Sequence, residues 1–212
     1  MNPMNSKCLH VLLLLLTLAA APVQAQAMPD ELVRTTTDKI QALLKQNHAL
    51  YKKDTDKLYA MVYEHILPHF DFRAMSKLVL ARNWRGASED QRTRFAGEFR
   101  DLLVRTYATA LLNYTDEEII MMPFRASPGD KRVEVKTEVK RSSGGPNIPL
   151  YYRFYKKDEK AEWKVYDVSI DGISMVTNYR SVYADKIRKQ GLDALIASMA
   201  STGPETVKPA PK

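Results

Sequence analysis

The chain has 212 residues, a formal net charge of +7 and a single cysteine, Cys8. One thiol near the N-terminus leaves the remainder without disulfides, thiolate nucleophiles or cysteine metal ligands, so stability must come from an ordinary apolar core. A basic balance suits nucleic acid in a cytosolic protein, but anionic headgroups or acidic partners in an exported one.

The first 27 residues read as an export signal. Lys7 is the only charge before a largely apolar run from Leu9 to Ala21, and small-x-small sites follow at Ala25 and Ala27. The run is too short to cross a bilayer core of ~30 Å as a helix, so cleavage after Ala27 or Ala25 is expected. Cys8 precedes the apolar run and does not sit where a lipoprotein is acylated. Loss of the signal leaves roughly 185 residues, enough for one domain with its own core. The expected organisation is a cleaved signal over 1–27, a single domain over 28–201 and a proline-containing disordered tail over 202–212.

The first half of the mature chain has helical spacing. Pro29-Asp30 opens a helix with Leu32, Val33, Ile40, Leu43, Leu44, Leu50 and Tyr51 on one face. A break at Lys52-Lys53-Asp54 precedes a short helix carrying Leu58, Met61, Val62, His65 and Ile66, which Pro68 ends. Asp71 is placed to cap a third helix with Phe72, Met75, Leu78 and Val79 inward. Ser88-Glu-Asp-Gln91 is a capping-box pattern that starts the longest helix, with Phe95, Phe99, Leu103 and Ala110 along one face and an end near Asn113.

The second half reads as strands. Glu117 to Phe124 is a short one. Val133, Val135, Thr137 and Val139 alternate with charged residues, as in a strand with one wet face. Leu150 to Tyr155 and Trp163 to Ile170 follow, with Tyr166, Val168 and Ile170 expected on one face. Asp171-Gly172 breaks the run. A helix to about Gln190 is expected beyond it, and after Gly191 a last one carrying Leu192, Leu195, Ile196 and Met199. Helices followed by consecutive antiparallel strands predict an α+β fold: N-terminal helices packed on a curved sheet of about four strands, then C-terminal helices.

Catalytic signals are thin. His65 and His69 have the spacing of paired metal ligands, but Pro68 lies between them and no third ligand is near. His69-Phe-Asp71 has the composition of a base and its orienting carboxylate, against the simpler reading that Asp71 caps a helix. No nucleophile elbow, phosphate loop or dinucleotide fingerprint is present. Two basic clusters stand out: Arg73, Lys77, Arg82, Arg85, Arg92 and Arg94 at the corner of the third and fourth helices, and Lys131, Arg132, Lys136, Lys140 and Arg141 on one strand. Such residues are surface by default, and the same types would serve a docking face.

Four segments carry a family resemblance. They are Phe70-Asp71-Phe72-Arg-Ala-Met75, Trp84-Arg85-Gly-Ala-Ser-Glu-Asp-Gln91-Arg92, Phe95 with Phe99-Arg100-Asp-Leu-Leu-Val-Arg-Thr-Tyr107, and Trp163 to Arg180. In this order and spacing the chain resembles the Mla-pathway phospholipid carriers, the toluene-tolerance family. Two positions depart from that pattern: Leu80-Ala81 stands where a glycine often precedes Arg-x-Trp, and Asp171 stands where Glu is common.

The resemblance implies an NTF2-like cone with an apolar cavity, no enzymatic activity, no cofactor, and phospholipid as cargo. It implies a periplasmic shuttle between an outer-membrane lipoprotein–porin complex and an inner-membrane ABC transporter complex with its substrate-binding subunit, maintaining outer-membrane lipid asymmetry, with no role for nucleic acid. Acyl chains would lie between helices (Phe72, Met75, Val79, Phe95, Phe99, Leu103, Tyr107) and strands (Val135, Val139, Tyr152, Phe154, Val168, Ile170). Periodicity by itself does not separate such a cavity from a filled core. An enzyme of the same fold acting on an apolar small molecule, or a periplasmic chaperone with a dry core, are the alternatives.

Overall fold

The computed structural model describes residues 27–114, 117–141 and 144–201. Residues 1–26, which hold Cys8 and nearly all of the expected export signal, and the expected tail from 202 onward lie outside the described residues.

Helix α1 (Pro29–Lys53) starts with Pro at its first turn and carries Asp30 and Glu31 there, with Lys52 and Lys53 in its last turn, so both ends suit the helix dipole. It is kinked at Asn47, whose φ/ψ of −117°/17° is non-helical. Asp54 ends it and caps α2 (Thr55–His65) through the Lys57 amide at 3.3 Å. Pro68 then holds a 3₁₀ turn over Leu67–His69. Asp71 caps α3 (Phe72–Leu80), accepting from the Ala74 amide at 2.8 Å. Two residues expected inward are exposed: Leu50, beyond the α1 kink, and Leu78, whose place on the buried side of α3 is taken by Leu80.

A one-turn helix α4 (Asn83–Gly86), which the spacing does not announce, leads to α5 (Glu89–Tyr107). Both halves of the Ser88/Gln91 capping box form, at 3.0 and 3.1 Å. The α-helix stops at Tyr107, short of Asn113, because the chain tightens into a 3₁₀ segment over Ala108–Tyr114.

The sheet has five strands, not four: β1 (Glu118–Met121), β2 (Arg132–Lys140), β3 (Ile148–Tyr155), β4 (Lys164–Ile170) and β5 (Ile173–Ser174), paired in chain order and antiparallel throughout. The fifth strand exists because Asp171-Gly172 is a hairpin turn. Their φ values of 51° and 80° put both residues in the left-handed region that a two-residue turn requires. The chain reverses, Ile173 pairs with Ile170 and Ser174 with Ser169. Ser174 then caps α6 (Met175–Gln190) through the Thr177 amide at 3.1 Å. Gly191 separates α6 from α7 (Leu192–Ser201).

A second departure from simple alternation lies between β3 and β4. Arg153 pairs with Asp167 but the next residue, Phe154, pairs with Val165. Tyr166 is thus the extra residue of a bulge. Val165 and Val168 share the inner face, and Tyr166 instead meets the Tyr155 ring edge-on at 5.8 Å.

Three apolar clusters form. One joins α3, α5, α6 and α7 around Phe95, Phe99, Tyr179 and Leu195. A second joins α1, α2 and the end of α5 around Leu44, Leu58 and Val104. The third covers the inner face of the sheet, with Val33 of α1 against Val135, Phe154 and Val165.

Ala81, which ends α3, has φ 48° and ψ −115°, a backbone region favouring glycine. It stands at the position where the family pattern often has glycine. Ala81→Gly is therefore expected to raise stability by about 1 kcal/mol, the relief of Cβ strain outweighing added unfolded-state freedom. Gly172→Val, at the hairpin, should lower it by a similar ~1–2 kcal/mol. Urea unfolding of both variants measures the two effects.

Candidate functional site

A cavity of about 490 Å³ lies where the three clusters meet, open to solvent along part of its boundary. Each cluster contributes wall: Met75 and Leu103 from the first, Ile40, Leu44, Val62 and Val104 from the second, Val33, Phe154, Val165 and Val168 from the third. The volume is within the ~300–1,000 Å³ usual for small-molecule sites.

The strands supply their wall by alternation. Leu150, Tyr152 and Phe154 of β3 face in, while Arg153 between them reaches Glu134 and Asp167. Val139, Val168 and Ile170 complete the strand side that the sequence anticipates. From the helices, Phe72, Met75, Leu103 and Tyr107 reach the cavity as expected.

Four expected residues do not reach it. Phe95 and Phe99 turn toward α6, where Phe99 meets Tyr179 edge-on at 5.1 Å and Phe95 meets Tyr183 at 6.0 Å. Val79 is buried in the same cluster. Val135 faces inward but is covered in the cluster that includes Val33 of α1 and Trp163. The physical cause is that α5 is enclosed on several sides. Its first half serves the C-terminal helices, and only its C-terminal part, with Ala108 and Leu111 beyond it, borders the cavity.

The largest omission from the sequence-based set is α1. Val33, Thr36, Thr37, Ile40, Gln41 and Leu44 form one long side of the cavity. Their helical spacing is visible in the sequence, but an apolar stripe reads the same whether it faces a core or a void.

Among the described residues no carboxylate, ammonium or guanidinium lines the cavity. Burial pushes the Tyr152 phenol up to about 12 and raises Tyr107 as well, so both stay neutral at physiological pH. His69 is the one imidazole on the wall, and its pKa is lowered by burial and by nearby Lys164. Asp71 is not its orienting partner: that carboxylate caps α3 and accepts from the Tyr155 hydroxyl. His65 sits at the end of α2 beside Glu64, and no group of three His, Cys, Asp or Glu able to hold a metal exists among the described residues. The arrangement offers a neutral apolar container, not a proton-transfer pair. No described helix is long and apolar enough to cross a membrane.

Comparison with known proteins is consistent across three levels. The family model for MlaC protein matches residues 34–201. The intermembrane phospholipid transport system binding protein MlaC of Haemophilus influenzae is 26% identical over 183 residues, covering 86% of each chain. The toluene tolerance protein ttg2D of Pseudomonas putida is 31% identical over 183 residues, covering 85% of this chain and 83% of that protein. The phospholipid-binding protein from Ralstonia solanacearum, solved in complex with a phospholipid, is similar with a TM-score of 0.74 and 31% identity, over 82% of this chain and 96% of that one.

His69 yields a pH signature. Its folded pKa lies below its ordinary value of 6.5, so the unfolded chain binds the proton more readily and folding stability falls as pH drops through that value. In His69→Phe the loss of stability between pH 7 and pH 5 should be shallower than in the parent. Denaturant midpoints across that range decide it, and parallel slopes would contradict the assignment.

Proposed function

The chain belongs to the MlaC protein family, and from that premise we propose that it is a carrier of phospholipid, holding acyl chains in the apolar cavity. The observation that carries this reading is the unfilled, uncharged space between three packed clusters. A dry void costs ~24 cal/mol per Å³ in core-truncation series, on the order of 10 kcal/mol for this volume, comparable with the whole stability of a domain. Water would find few hydrogen-bond partners on such walls. Acyl chains remove the void and contribute ~0.8 kcal/mol for each methylene withdrawn from water. The net affinity must remain well below that gross gain, so that cargo can leave at its destination.

Helix α1, the C-terminal part of α5 and the inner face of β2 to β4 enclose the chains, with the headgroup at the open side. Met75, Met175, Tyr107 and Tyr152 supply adaptable surface for chains of differing shape. The protein acts as a carrier and not as an enzyme, a reading supported by the names of its relatives and by the commitment of Asp71 to the α3 cap. It needs no cofactor; phospholipid is cargo. Residues 1–27 direct export and are removed, and the 28–201 domain works in the periplasm. There it passes phospholipid between an outer-membrane lipoprotein–porin complex and an inner-membrane ABC transporter complex, which sustains outer-membrane lipid asymmetry.

Protein expressed with its signal and purified from the periplasm without strong detergent should show, by native against denaturing mass spectrometry, an excess mass of bound phospholipid recoverable by solvent extraction. Val139→Arg/Val168→Arg places two cations on the strand wall and should empty the cavity while circular dichroism stays that of the parent. A folded double variant with full lipid content would exclude this placement of the chains, and parent protein at bare polypeptide mass would remove the carrier reading.

A further inference from the structure

The corner formed by α3, α4 and the start of α5 is a cationic surface that the cavity does not use. Residues 72–88 contain Arg73, Lys77, Arg82 and Arg85 and no carboxylate. All four are exposed. Lys77, Arg82 and Arg85 make no side-chain hydrogen bond or ion pair among the described residues. Arg73 and Arg92 are held on opposite demands: their guanidinium carbons lie 5.4 and 5.2 Å from the ring centroid of Trp84, which is 8% exposed, and Glu89 bonds both. Arg180 arrives from α6 and donates to the Leu78 carbonyl at 2.8 Å. Arg94, expected in this cluster from the sequence, leaves it: Asp90 and Asp193 each bind it at 2.7 Å.

The second basic strip is different in kind. Lys136 pairs with Glu134 and Lys140 with Glu118, so two of its cations are neutralised by the sheet's own acids. At the α3–α4 corner three exposed cations, Lys77, Arg82 and Arg85, make no ion pair among the described residues. Within it Leu78 is 36% exposed beside Lys77. The chain turns this corner through the strained backbone of Ala81.

We propose that this corner is a docking face for the phosphate-bearing surface of an anionic bilayer. Guanidinium forks match phosphate oxygens, and side chains on an exposed helix–turn–helix corner suit an extended array of headgroups. Leu78 adds an apolar contact at headgroup depth. Phe72 and Met75 on the inward side of the same helix line the cavity, so docking here sets the bilayer against an element of the cavity wall. The proposal does not depend on what fills the cavity.

The test is co-sedimentation of the exported full chain with vesicles of phosphatidylglycerol and phosphatidylcholine, against vesicles of phosphatidylcholine alone. Binding to the anionic vesicles is expected, weakening as salt is raised. Lys77→Gln/Arg82→Gln/Arg85→Gln should lose about tenfold or more of that binding, since each basic side chain near an anionic surface adds to affinity. Lys157→Gln/Lys160→Gln/Lys189→Gln removes the same charge elsewhere and should retain it. Equal loss in both triple variants would mean that only net charge matters and would overturn the assignment. So would full binding by the corner variant, or no sedimentation of the parent with anionic vesicles at low salt, which would hand the corner to an acidic protein. Bound-lipid mass measured on the corner variant separates this result from the cavity reading, because its cargo should be unchanged.

Discussion

Two buried or half-buried carboxylates fix the helical layer to the sheet, and the cavity depends on that fixing. Asp71 caps α3, accepts from Tyr155 of β3, and its own amide donates to the Val165 carbonyl of β4 at 2.9 Å. Asp167, 3% exposed on β4, accepts from the Val176 amide at the start of α6, from Ser174 and from Arg153. These are directional contacts with defined lengths, and the charge-assisted ones are strong. Apolar surfaces alone would minimise their exposure by closing on one another. Polar joints at the edges of the layers oppose that collapse, so the inner face of the sheet and the end of α5 remain apart.

The same division explains why the interior is three clusters and not one. The first half of α5 is fully occupied by α3, α6 and α7, through stacked and edge-on contacts of Phe95, Phe99, Tyr179 and Tyr183. Its second half turns to α1 and α2 through Val104 and Ala108. The void is left at the common border of these packed regions. The Tyr179 and Tyr183 phenols, deep in the first cluster, are raised by burial and remain neutral.

Charge is sorted as strictly as packing. The described cavity wall is neutral while the exterior carries the basic excess, partly paired on the sheet and unpaired at Lys77, Arg82 and Arg85 of the α3–α4 corner. Partition of this kind suits a molecule that holds apolar matter inside and meets phosphate outside. Neither property requires a catalytic group, and Asp71, the carboxylate two residues from His69 in sequence, is committed to the α3 cap and to Tyr155.

Local signals in the sequence determined the elements with short-range causes. Asp54, Asp71 and Ser88 cap the helices they precede, Pro68 ends the second helix, and Val133 to Val139 alternate on one strand, because caps, proline and period-two patterning act within a few residues. The family motifs around Trp84 and Trp163 to Arg180 were legible for the same reason. What tertiary structure decided was where each apolar face points. Phe95 and Phe99 have the spacing of Leu103 and Tyr107, yet the first pair is core and the second is wall. Val135 is covered while Val139 is not, and α1 turns out to supply one whole side. The bulge brings Val165 to the inner face beside Val168 and Ile170 and leaves Tyr166 against Tyr155, and the Asp171-Gly172 hairpin adds a strand where a helix start was expected. Periodicity fixes that a face is apolar; which partner meets it, or whether none does, depends on residues distant in the chain.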